Sequence, residues 1–154
     1  MNSMVVPLPL EQSFKDKNRL LKAFLELTQD FQSKFKSEAT PEQKMDWVDE
    51  LSDVREHHLK TIQLLDVQIE TLKQCLTPEE SAALQKSESF KKTLEETFSL
   101  IREIQLTDQS LFLYIQNIGF ELRAQIMKGL KEKETLSKFK SQNTATGEGL
   151  DHTV

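Results

Sequence analysis

The chain has little of what most sheets and most chemical sites are built from. Among 154 residues there are 4 Gly, 4 Pro, 1 Cys, 1 Trp, 1 Tyr and 3 His. The lone Cys75 excludes an internal disulfide and a cysteine-based zinc cluster. So few Gly and Pro leave a sheet protein of this length short of turns, and Val, which favours strands, is scarce. The longest strictly apolar run, Leu111 to Ile115, falls far short of the ~20 residues that span a bilayer. The opening MNSMVVPLPLEQ has no basic residue ahead of its apolar patch, and Pro7 and Pro9 interrupt that patch, so it does not read as a secretory h-region. The expected location is cytoplasmic, with no membrane insertion. A net charge of −5 supplies no global attraction to nucleic acid or to an anionic membrane.

What is present is helical and able to form a core. Leu, Ile, Val and Phe supply 44 of the 154 residues, above the roughly 20% below which chains stay disordered. Thr40-Pro41-Glu42-Gln43 and Thr77-Pro78-Glu79-Glu80 each combine a hydroxyl N-cap, a proline at N1 and a capping-box acid or amide. Each starts a helix, and the preceding helices are expected to stop near Glu38 and Cys75, because the residue before a proline avoids helical geometry. Phe14, Leu21, Phe24, Thr28, Phe31 and Phe35 lie on one face of a helix expected over Glu11 to Ser37. Val48, Leu51, Ile62, Leu65, Ile69, Leu72 and Leu76 share a heptad frame interrupted by Arg55 and His58. A short helix is expected from Pro78 to Lys86, with a soft break at Ser87-Glu88-Ser89. The last and longest pattern places Leu94, Phe98, Ile101, Gln105, Asp108, Phe112, Ile115, Gly119, Leu122 and Ile126 at alternating spacings of three and four.

These lengths predict an all-α fold: an elongated antiparallel bundle of three long helices with a short extra helix, whose last helix outruns its neighbours. One domain is expected over residues 1–140, with 1–10 as a flexible N-terminus and 141–154 as a disordered tail.

Candidate chemistry is thin. His57 and His58 point about 100° apart on a helix, and Asp49, Asp53 and His57 share a face without a second histidine, which reads as a solvated acidic face. Cys75 is expected to be a small buried apolar residue; its acidic neighbours would not stabilise a thiolate. Trp47 and Tyr114 are expected in the core or lining a groove. No catalytic motif, cofactor site or metal site is expected, and the chain does not read as an enzyme. Asp108 stands inside an apolar frame, where it either pairs, faces solvent, or fixes register against a neighbouring helix through a residue such as Arg55.

Charge is unevenly spread. Glu38 to Glu80 carries 11 acids against 4 bases, whereas Gly119 to Lys140 carries 6 bases against 3 acids. The basic end bears an apolar stripe interrupted by Gly129, a candidate hinge because glycine weakens a helix by ~1 kcal/mol against alanine. If the last helix outruns the bundle, the stripe has no fixed partner, and each exposed side chain forgoes roughly 1.5–3 kcal/mol of burial.

The segment Leu100-Ile101-Arg102-Glu103-Ile104, followed by Asp108, the periodic Phe112, Ile115 and Leu122, then Ile126-Met127-Lys128-Gly129-Leu130-Lys131 and Leu136-Ser137-Lys138-Phe139-Lys140, resembles the FlgN/FliT-type flagellar export chaperones. A weaker likeness covers Leu20 to Phe35 and Val48 to Leu76, while the short helix at Pro78 and the Lys/Glu alternation after Gly129 depart from the family pattern. The resemblance implies a non-catalytic cytoplasmic chaperone. Its last helix would bind an amphipathic helix of a secreted flagellar filament or junction subunit, and its basic end would be available to the export machinery. The expected partner-binding residues are Phe112, Ile115, Leu122, Ile126, Leu130 and Phe139, with the hinge at Gly129. The alternative is a self-associating coiled-coil scaffold in which the same stripe is a homodimer seam.

Overall fold

A computed structural model describes residues 8–143, with side chains described over residues 9–138. The described chain is all-α, with helices α1 (Leu8–Phe35), α2 (Pro41–Gln74), α3 (Pro78–Lys86) and α4 (Glu88–Asn143). Both Thr-Pro signals act as capping boxes. The Thr40 hydroxyl accepts from the Gln43 backbone N–H at 3.2 Å while the Gln43 side chain accepts from the Thr40 N–H. Thr77 and Glu80 exchange the same pair of bonds. At the soft break, the Ser87 hydroxyl accepts from the Phe90 N–H at 3.2 Å, so α4 restarts at once.

The three long helices pack through three apolar clusters stacked along the bundle. Leu10 and Phe14 of α1 meet Ile69, Leu84 and Phe90 at one end. Leu21 and Phe24 meet Ile62, flanked by Leu100, Ile101 and Ile104, in the middle. Phe35 meets Leu51 and Leu111 at the other end, with Trp47, Val48 and Ile115 against them. Along this series α1 and α4 numbers rise together while α2 numbers fall, so α2 is antiparallel to both. The short loop at residues 36–40 suits the antiparallel α1–α2 pair, and α3 carries the chain from α2 to α4. Helix α1 lies along both α2 and α4, which pack on each other less extensively.

Polar ties fix the register. Arg55 of α2 donates from Nη1 and Nη2 to the two Asp108 carboxylate oxygens of α4 at 2.8 and 2.9 Å, and Nη1 also reaches the buried Thr28 hydroxyl of α1 at 2.9 Å. Its guanidinium lies 4.4 Å from the Phe24 ring centroid. Of the readings open for Asp108, the structure selects the interhelical one. Two further ties have no counterpart in the sequence-based expectations. Buried Asn18 donates to the Thr93 carbonyl at 3.0 Å and accepts from the Thr97 hydroxyl. Ser89 donates to the largely buried Glu11 carboxylate at 2.9 Å.

Several expectations are corrected. Helix α1 begins at Leu8 rather than Glu11, and Leu10, expected in a flexible terminus, is only 2% exposed in the first cluster. A proline in the first helical turn forfeits no hydrogen bond, so Pro9 does not delay the helix. Residues 1–7 lie outside the described residues. Helix α4 continues three residues into the expected tail, to Asn143, and residues 144–154 lie outside the described residues. Cys75 is exposed, not buried: it caps the C-terminus of α2, and the next residue, Leu76, is the one that packs against the first cluster.

Candidate partner-binding surface

The surface arises from a difference in length. Helix α1 has 28 residues and α4 has 56, and both start at the same end of the bundle. At ~1.5 Å per residue α4 is about 84 Å long against about 42 Å for α1. The last strongly buried side chain on α4 is Ile118, 3% exposed, followed by the half-buried Leu122. From Arg123 to Lys138 every described residue is exposed. This overhang, through Asn143, reaches about 30 Å past the bundle.

The bundle-facing row of α4 differs from the expected one at every second position. Leu94, Ile101, Asp108, Ile115 and Leu122 do face the bundle, but their companions lie three residues on, at Thr97, Ile104, Leu111 and Ile118. The expected companions four residues on, Phe98, Gln105, Phe112 and Ile126, are exposed and Gly119 is half-buried. Asn18 and the Arg55 pair set this rotation by drawing Thr93, Thr97 and Asp108 inward.

The expected partner-binding residues therefore divide. Ile115 packs against the cluster of Phe35, Leu51 and Leu111 and belongs to the core; it is withdrawn from the binding surface. Leu122 closes the end of the bundle, half-buried. Phe112, 60% exposed, Ile126 and Leu130 remain open. The side chain of Phe139 lies outside the described residues. Gly129 sits within a continuous α-helix, and a Cβ there would meet nothing within 4 Å.

A second row accompanies these open residues. Leu106, Leu113, Phe120 and Met127, spaced seven apart, are all more than half exposed. At 3.6 residues per turn they lie roughly 140° round the helix from Ile101, Asp108, Ile115 and Leu122, and so point away from the bundle. The row is flanked, toward the bundle-facing side, by Phe98, Phe112, Ile126 and Leu130, with Gln105, Gln109, Gln116 and Arg123 interspersed. The signal for it is visible in the sequence: Leu111 to Ile115 is apolar all round, and a helix apolar on two faces needs two partners.

The flanks of this face are distinct. Gln105, Asp108, Gln109 and Phe112 line an open depression of about 460 Å³. Because the Asp108 carboxylate reaches Arg55, the Phe112 flank is the one beside α2. The nearby half of α2 is acidic, with Asp46, Asp49, Glu50, Asp53 and Glu56 all exposed. The overhang carries Arg123, Lys128, Lys131, Lys133 and Lys138, also exposed. A smaller cavity of about 230 Å³ lies near α3, walled by Leu10, Leu76, Leu84 and Phe90 with Lys73 and Lys91 at its edge. His57 and His58 have ring centroids 6.3 Å apart. Trp47 stacks on Phe35, and Tyr114 is half-buried with the Lys36 ammonium 5.9 Å from its ring centroid. Among the described residues no helix is long and apolar enough to cross a membrane. No family model, curated protein or solved structure matches the chain.

Proposed function

We propose that the chain is a non-catalytic cytoplasmic export chaperone that holds an amphipathic helix of a secreted flagellar filament or junction subunit on the outward face of α4. The observation that supports this reading is the unpartnered row Leu106, Leu113, Phe120 and Met127, continuous from the bundle onto the overhang. An amphipathic helix buries its own apolar stripe against such a row, and both sides gain the burial they lack in isolation. The basic overhang is the part available to export machinery. Specificity for a client would come from the charges flanking the row rather than from the apolar contacts themselves.

The test is binding of a labelled C-terminal helix from a filament or junction subunit, read by fluorescence anisotropy. Phe120→Asp with Met127→Asp should abolish binding while circular dichroism stays helical, since both residues are exposed. Binding that survives this double change overturns the reading. The alternative, a self-associating structural scaffold, is favoured by the seven-residue spacing of the same row, which suits a coiled-coil seam. A scaffold keeps its assembly when a client helix is added, whereas a chaperone exchanges it.

A further inference from the structure

We propose that the cavity beneath α3 binds an aliphatic carboxylate of medium length, its chain held by Leu10, Leu84, Phe90 and Leu94 and its head group between Lys73 and Lys91. The site lies at the end of the bundle opposite the overhang, so it is independent of the client reading. It also gives a role to α3, the one helix that reading leaves unused. Among the helices, α3 comes within 8 Å, Cα to Cα, of α4 alone, yet its Leu84 joins the buried cluster of Leu10, Phe14, Ile69 and Phe90. The backbone of α3 therefore stands off from α1 and α2. Ser81, on the same wall as Leu84, is too small to fill the space this leaves.

The cavity measures about 230 Å³, about one and a half times the ~150 Å³ apolar cavity that holds benzene, which is room for a chain of about eight carbons. Water gains little there, because the walls offer it few polar partners, whereas an aliphatic chain restores the close packing of the neighbouring cluster. Charge is confined to the rim, where it fixes the orientation of a ligand. Two cations from different helices set the sign of the head group. The Lys73 ammonium, on the last turn of α2, lies 6.0 Å from the Phe14 ring centroid. Among the described residues no carboxylate comes within 4 Å of it. Lys91, in the first turn of α4, has a 3.5 Å contact to Glu88 with both side chains more than half exposed, and solvent weakens such a pair. A carboxylate at the mouth gains both ammoniums. An amine head group would meet two like charges, and an uncharged one would gain neither.

The purified full chain should bind sodium octanoate saturably in calorimetry, with isotope-filtered NOEs from the octanoate methylenes to Leu84 and Phe90. 1-Octanol should bind more weakly and octylamine not at all. Lys73→Glu together with Lys91→Glu should weaken octanoate about fivefold and leave 1-octanol unchanged, a modest factor because both lysines are exposed. Ser81→Phe, which fills the cavity from α3, should abolish binding of both ligands with circular dichroism unchanged; if it loosens α3, Gln85→Trp at the exposed rim makes the same test. Absence of saturable binding, equal binding of octylamine, or octanoate NOEs confined to the Leu106, Leu113, Phe120 and Met127 row would each overturn the proposal. So would NOEs from the Met4, Val5 and Val6 methyls to Leu84 that persist under saturating octanoate, which would make the chain's own first residues the occupant.

Discussion

Arg55 and Asp108 show how single residues set the register of this bundle. The guanidinium is largely buried and the carboxylate is about two-fifths exposed, so solvent screens part of the attraction. Truncating either leaves the other without its bidentate partner in a partly apolar setting. Arg55→Ala should therefore destabilise the chain by about 1–3 kcal/mol, and a double-mutant cycle with Asp108→Ala should return a coupling energy of about 1 kcal/mol in urea unfolding. Additivity of the two single changes would contradict the geometry. The Asn18 layer behaves differently. Thr97→Val strands a buried amide oxygen and should cost about 1–3 kcal/mol, whereas adding Asn18→Leu should recover much of the loss if the larger aliphatic side chain is accommodated. The first tie was legible in the sequence because two opposite charges interrupt two apolar frames. The second was not, since Asn and Thr are ordinary on exposed faces and only the neighbouring helix makes them buried.

At the scale of elements, the capped starts of α2 and α3 and the buried faces of α1 and α2 were legible, and the rotation of α4 was not. Thr40 and Thr77 announce helices because a hydroxyl, a proline and a third-position acceptor satisfy orphan backbone donors locally, with no help from tertiary contacts. Thr40→Ala should cost about 1 kcal/mol by the same local logic, measurable as a lowered urea midpoint with an unchanged slope. The orientation of α4 depended on a choice between companions three or four residues on. The row three on contains Thr97, Ile104, Leu111 and Ile118; the row four on contains two phenylalanines, a glutamine and a glycine. Two rings outweigh one threonine in a reading of hydrophobicity, but Asn18 pays that threonine back with a hydrogen bond. Gly129 was expected as a hinge, and the described helix passes through it unbroken. Gly129→Ala should raise helix stability in the overhang by about 1 kcal/mol, seen as slower amide hydrogen exchange around residues 125–135. If bending there serves binding, the same change weakens partner capture without touching the bundle.

At the scale of the molecule, two phenylalanines of equal size separate the jobs of the two faces. Phe24 is 2% exposed in the middle cluster, and Phe24→Ala should cost about 3–5 kcal/mol. Phe120 is 59% exposed, and Phe120→Ala in dilute protein should change stability by no more than about 0.5 kcal/mol while weakening association. Equal losses at both positions would place Phe120 in the core and remove the free face. Sequence alone determined the helical class, the capped starts of α2 and α3 and the surplus length of the last helix, because capping, periodicity and chain length are local quantities. Only the tertiary structure decided which face of α4 meets the bundle. That rotation minimises the energy of all three helices together, drawing Thr97 and Asp108 inward to partners on α1 and α2 and turning Phe98, Phe112 and Phe120 out.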